Sequence, residues 1–185
     1  MFTRDGVTVR PLELEDIDAL YLWHLDWEMD ILSSWGPKRS MAEFRKVWEA
    51  RITEPDVEIL RFGIEVDDML VGSIALQQID RENGVASIGF GIGNRDYRGK
   101  GIGTKAITLI LDYAFTVENL DRVYAEAYDF NQRSQRVLER VGFVREGIHR
   151  KHELHNGARR DMYYYGILKE EFYARYETMF RIPRV

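Results

Sequence analysis

Residues 98 to 104 read Arg98-Gly99-Lys100-Gly101-Ile102-Gly103-Thr104, with three glycines at alternate positions, two cations among them, and a run of helical apolar spacing behind. Glycine lets a ligand come close to the backbone, and the first amides of a helix turn partial positive charge outward. A row of such amides selects phosphate oxygens. Arg98 and Lys100 can add charge-assisted bonds or remain solvated. The structural alternative is a plain glycine turn with capping chemistry. Two familiar nucleotide motifs fail on spacing. A dinucleotide fingerprint begun at Gly99 needs glycine at position 104, where Thr104 stands. A mononucleotide P-loop needs a downstream Gly-Lys pair that neither Gly99, Gly101 nor Gly103 has.

Other residues invite chemistry more weakly. Gly89-Phe90-Gly91 interrupts an apolar strand, which suits a bulge or a close backbone approach. Asn131 follows a strand directly, an N-cap position, with Ser134 three residues on. Glu126 lies on a strand, and Asp26, Glu28 and Asp30 follow the first helix; each carboxylate is a candidate base or a solvated charge. Trp23, Trp27 and Trp35 cluster near those acids, so Trp27 and Asp30 are candidates to hold a cation, packing being the alternative. Asp161 and Tyr163 are offered to a substrate groove or to sheet pairing. His149, His152 and His155 share no helical face, cysteine is absent, and no metal site is expected.

These residues need a scaffold. Val7 to Arg10 predicts a short strand, and Leu14, Ile17, Leu20 and Tyr21 a first helix. Ser40-Met41-Ala42-Glu43 is a capping box, starting a second helix with Phe44, Val47 and Trp48 inward and Pro55 beyond its end. Three strands near 58–66, 69–79 and 85–93 are separated by hairpin signals. A helix near 104–118, a strand near 122–129 and a helix near 132–141 follow, the last stopped by Gly142. Strands near 143–149 and 160–168, split by an Asn156-Gly157 turn, lead to a final helix from Lys169 to Phe180. No repeat or linker appears, so residues 1–185 read as a single mixed α/β (α+β) domain with a largely antiparallel central sheet flanked by helices.

The run Arg98 to Gly103 resembles, at every motif position, the pyrophosphate loop of the GNAT N-acetyltransferases, written Arg/Gln-x-x-Gly-x-Gly/Ala. Ile88 to Tyr97, Asn131-x-x-Ser134 and Val141-Gly142-Phe143 are similar to the branch containing RimJ and RimL. The resemblance implies acetyl-CoA as acyl donor, bound where two strands splay apart, here those ending near Ile92 and Tyr128. It implies cofactor contacts for Phe90, Gly91 and Ile92 along the pantetheine arm, for Arg98, Gly99, Lys100, Gly101, Ile102, Gly103 and Thr104 at the pyrophosphate, and for Asn131 near the helix cap. It also implies that Ser134 protonates or hydrogen-bonds the leaving sulfur. Relatives that use a tyrosine acid carry it where Leu138 stands here, and some carry a glutamate where Ser87 stands. Those roles are not inherited.

Acetyl transfer needs a neutral amine, a stabilised oxyanion and a proton for the thiolate. Glu126 is the candidate base and Ser134 the candidate acid, while freed amides around Gly89 to Gly91 would face the oxyanion. An α-amine of pKa about 8 is roughly a tenth neutral at pH 7, so a weak base suffices for it. The acceptor is expected to be a protein N-terminal α-amine or a small-molecule amine, and a CoA-binding sensor without turnover is the rival class. A net charge of −5 opposes nucleic acid and membrane surfaces and suits a cationic acceptor. With neither a signal-like N-terminus nor a bilayer-spanning run, the expectation is a cytoplasmic protein, and exposed strand edges allow a homodimer.

Overall fold

The computed structural model describes residues 1–33, 37–54 and 56–180. Trp35 and Pro55 lie outside the described residues. The chain opens with a hairpin that the sequence reading missed, β1 (Phe2–Arg4) and β2 (Val7–Pro11). Its turn is Asp5-Gly6, both at positive φ (51° and 74°), the geometry of a tight hairpin. Then come α1 (Ile17–Leu25), α2 (Trp27–Ser33), α3 (Met41–Thr53), β3 (Leu60–Val66), β4 (Met69–Asp80) and β5 (Val85–Ile92). They are followed by α4 (Ile102–Thr116), β6 (Arg122–Tyr128), α5 (Gln132–Val141), β7 (Val144–His155), β8 (Ala158–Leu168) and the short α6 (Lys169–Tyr173). The eight strands form one sheet in the order β1-β2-β3-β4-β5-β6-β8-β7.

Every neighbouring pair is antiparallel except β5 and β6. That parallel pair is short: only Val85–Ser87 register with Arg122–Tyr124. Beyond Ser87 the two strands part, β5 running on to Ile92 and β6 to Tyr128, which opens a gap in the sheet.

Strand alternation sorts the two faces of the sheet. Phe62, Ile74, Leu76, Ile88, Val123, Ala125, Tyr165 and Ile167 are buried on one face against α4, whose Ala106, Ile107, Ile110, Leu111 and Phe115 are also buried. Each large apolar side chain sealed there contributes about 2 kcal/mol. The opposite face, away from this core, carries Arg61, Ser73, Ala75, Gln77, Ser87 and Gly89, with Tyr124 and Glu126 continuing it on β6.

The first helix ends at Leu25, before Asp26, whose ψ of 110° is extended. Trp23 and Trp27 therefore sit on different helices, the former 8% and the latter 68% exposed. The last helix stops at Tyr173 rather than Phe180. Here a buried carboxylate on α4 takes precedence: Asp112 accepts from the Tyr173 hydroxyl at 3.1 Å and from the Met179 amide at 2.7 Å. A continued helix would turn that amide back on its own carbonyls and leave the charge short of donors.

Candidate functional site

The glycine loop lies between the end of β5 and α4. Gly99 and Gly101 take positive φ, 74° and 78°, and a Cβ at either would meet nothing within 4 Å. Gly101 is the N-cap of α4, so the helix begins with no side-chain cap and its first amides are available. The buried Thr104 hydroxyl has no hydrogen-bond partner. Open space at two glycines and an orphaned hydroxyl beside free helix amides fit a phosphate cradle. A cavity of about 660 Å³ adjoins them, lined by Gly99, Gly101, Ile102, Gly103 and Thr104, by Phe90, Gly91 and Ile92, and by α5.

The cations are arranged differently from a simple phosphate clamp. The Arg98 guanidinium donates to the carbonyls of Ile92 (2.9 Å) and Gly93 (3.0 Å) and pairs with Glu28 (3.0 Å) and Asp26 (3.2 Å). It lines the cavity but is engaged in tying the start of α2 to the end of β5. Lys100 is exposed, its ammonium 5.2 Å over the Tyr97 ring, and does not line this cavity. Arg133, Arg136 and Arg140 of α5 do line it. Arg133 pairs with Glu28 at 3.0 Å; the other two make no ion pair with any described residue. The sequence reading passed over these three, although their spacing puts them on one side of a helix.

A second cavity, about 630 Å³, lies over the polar face of the sheet. Ser73, Ala75, Ser87, Gly89 and Gly91 pave it with small side chains, Trp48 and Arg51 of α3 stand on one side, and Glu126, Tyr128, Glu153 and Met162 on another. The two cavities share Leu32, Phe90, Gly91, Asn131 and Ser134. Asn131 is buried; its Oδ1 accepts from the Ser134 amide at 3.1 Å and its Nδ2 donates to the Leu32 carbonyl at 3.0 Å, clamping α5 to α2. The Ser134 hydroxyl has no partner among the described residues, so it is free to serve a ligand at the junction.

The remaining expectations separate by strand parity. Glu126 faces the second cavity, directly across the strand pair from Tyr164. Burial and that carboxylate push the Tyr164 phenol up to about 12. Asp161 and Tyr163 line neither cavity. Tyr163 packs on the buried face, with Arg145 at 5.0 Å over its ring, and Asp161 accepts from the Lys151 amide at 2.8 Å. A one-residue offset from Met162 and Tyr164 sends both to the other side. Trp27 and Asp30 line neither cavity as well; Asp30 pairs with Lys38 at 3.4 Å. Asp26 and Glu28 are held by arginines, and the bond from Arg95 keeps the Asp26 carboxyl down at about 2. Leu138 is buried, and the phenols of Tyr124 and Tyr128 bond Gln78 and Glu153. Among the described residues no group of three or more acidic or imidazole side chains is placed to hold a metal, and no helix is long and apolar enough to cross a membrane.

Comparison with known proteins adds a family. The family model described as acetyltransferase (GNAT) domain matches residues 7–144. An uncharacterized N-acetyltransferase, p20, of Bacillus licheniformis is 33% identical over 172 residues, covering 91% of this chain and 96% of that protein. The spermidine N(1)-acetyltransferase of Escherichia coli strain K12 is 28% identical over 175 residues, covering 94% and 91%. Among solved structures, the spermidine N-acetyltransferase of Vibrio cholerae in complex with CoA and spermine superposes with a TM-score of 0.84 at 25% identity, covering 92% of this chain and 99% of that one.

Proposed function

Since this chain belongs to the GNAT acetyltransferase family and is an acetyl-CoA-dependent N-acetyltransferase, we propose that it acetylates a small-molecule primary amine, bound over the polar face of the sheet, by direct attack with both substrates in place. One observation carries the reading: two cavities of metabolite size meet at Phe90, Gly91, Asn131 and Ser134. Donor and acceptor can enter from opposite sides and face each other there.

When bound, acetyl-CoA supplies the activated acyl group. The amides from Gly99 to Thr104 and the Thr104 hydroxyl would hold its pyrophosphate, with Arg136 and Arg140 adding positive charge on the opposite wall. Phe90 to Ile92 would line the pantetheine arm. Because β6 leaves β5 after Ser87, β5 amides facing the gap are free to donate to the developing oxyanion. Ser134 stands where a proton is needed for the departing thiolate. Glu126 faces the acceptor side as the candidate proton acceptor, beside its cross-strand neighbour Tyr164.

A protein N-terminal α-amine is the second reading, favoured by the likeness of Ile88 to Tyr97 and Asn131-x-x-Ser134 to the RimJ and RimL branch. One solved structure of the Vibrio cholerae spermidine N-acetyltransferase is dodecameric. Here the edge strand β7 exposes Val144, Ile148 and Leu154, which supports self-association of this chain as well. The proposal includes a cytoplasmic setting, where acetyl-CoA is available.

A coupled thiol-release assay with acetyl-CoA and a panel of polyamines, amino acids, aminoglycosides and free-N-terminus peptides tests the proposal. Release should depend on a small amine that gains the mass of an acetyl group. Release with peptides alone would move the assignment to protein N-termini.

A further inference from the structure

The acceptor cavity is not uniformly acidic. Arg51 of α3 and Arg61 of β3 both line it, opposite Glu126 and Glu153. Arg51 pairs with no carboxylate among the described residues; its guanidinium lies 5.1 Å over the Trp48 ring. Arg61 has one long contact, 3.6 Å to Asp56. Although Arg51 keeps a solvent-facing surface, partial desolvation, then the charges of Arg61 and Arg39, push it below the ordinary guanidinium range. Arg61 is the less exposed of the two, its side chain 19% exposed, and together they put positive charge on this wall of the cavity.

The sheet register sets the distance. Arg61 pairs with Ala75, and Ala75 with Gly89, one residue before the Phe90-Gly91 junction. Two strand spacings, about 10 Å, therefore separate the Cα atoms of Arg61 and Gly89. Arg61 lines the cavity, its guanidinium 3.6 Å from Asp56, and across those two strand spacings it can reach an anion carried only a few bonds from the attacking amine. Resting on the small-amine reading above, we propose that the natural acceptor is zwitterionic, its amine at the Glu126 and Ser134 end and a carboxylate or phosphate bound by Arg51 and Arg61. Planar guanidinium groups suit both anions in a two-point grip. A polyamine, cationic at every nitrogen, would bring like charge against that wall.

The test uses matched acceptors: amino acids and aminoalkyl phosphates against the corresponding amides and plain alkylamines, with spermidine beside them. The wild-type enzyme should prefer the anion-bearing member at least tenfold in kcat/KM, and the carboxylate and phosphate series identify which anion it takes. Arg61→Gln should raise KM for the anionic acceptor at least ten times more than for its neutral partner. Arg51→Gln, at a more exposed position, should reduce the preference in the same direction and guards against a folding defect at Arg61. Transfer to spermidine or neutral amines with no preference for the anion overturns this inference and leaves the small-amine reading standing. A preference that survives both substitutions also overturns it. No transfer to any amine by a protein that binds acetyl-CoA overturns both.

Discussion

The two cavities that meet at Ser134 are built by different means. The one beside α4 owes its cradle to backbone from a single stretch, Gly99 to Thr104, where the glycine conformations and the helix start are local consequences of sequence. The one over the sheet owes its walls to side chains from α3, β3, β4, β5, β6, β7 and β8, which only the register of distant strands brings together. On the proposed assignment, a backbone cradle would recognise what every acyl-CoA shares, while a side-chain wall can be rewritten one residue at a time. Donor recognition should therefore be brittle to substitution in the loop, and acceptor recognition adjustable.

The largest expected effect tests the brittle side. Gly101→Glu places a bulky residue at φ 78°, in the left-handed region where a side chain costs roughly 1–2 kcal/mol, and sets a negative charge beside the cradle. Acetyl-CoA affinity by calorimetry should fall about a hundredfold or more. Unchanged affinity would remove the loop from the donor site. At the junction, Ser134→Ala should lower kcat by about ten- to a hundredfold, the range for loss of a positioned acid, with acetyl-CoA affinity nearly unaltered. An unaltered kcat would mean that the thiolate takes its proton elsewhere and that the cavities meet without a catalytic hydroxyl.

The same contrast explains what the sequence made legible. The glycine loop, the Asn131 cap and the Asn156-Gly157 turn rest on local backbone chemistry and appear where expected, the turn at φ 48° and 77°. The mixed sheet could be read from strand alternation and hairpin signals, and its splay came with the family resemblance. Arg51, Arg61 and Glu153 carry no local signal, because their relation exists only after β3 to β8 have aligned. Asp161 and Tyr163, offered to a groove or to sheet pairing, lie in β8 and line neither cavity, while Met162 between them does, since a substrate face differs from a core face only by which neighbours lie beneath. Trp23 and Trp27 have helical spacing yet sit on separate helices, because the arginines that hold the turn at Asp26, Arg95 and Arg98, lie 69 and 72 residues away.

That cluster joins the two regions, because α2 contributes Leu32 to both cavities and Asp26 holds its start. Asp26 is depressed from 3.8 to about 2, first by the bond from Arg95. A carboxylate lowered on folding stabilises the folded chain fully above its unfolded pKa, and that contribution fades as the pH falls from about 4 through about 2. Asp26→Asn should lose about 1–2 kcal/mol at neutral pH, reduced from the full linkage value because Arg95 is 60% exposed. Urea melts of both proteins from pH 7 down to pH 2 should converge at the acid end. A gap that stays constant with pH would assign the loss to packing instead of charge.

The smallest effect isolates the adjustable side. Ser40 caps α3 by accepting from the Glu43 amide at 3.3 Å, and the Glu43 carboxylate in turn accepts from the Ser40 amide at 3.1 Å. Ser40→Ala should cost about 1 kcal/mol or less, as N-cap losses do, mostly by fraying the first turn. Trp48 and Arg51 lie farther along this helix and line the cavity over the sheet, proposed above for the acceptor, whereas nothing in α3 lines the cavity beside α4. The variant should therefore raise KM for the amine by a few fold while leaving acetyl-CoA affinity unchanged. Equal changes in both constants would show that α3 steadies the whole molecule, and the division between a backbone donor site and a side-chain acceptor site would then lose its energetic meaning.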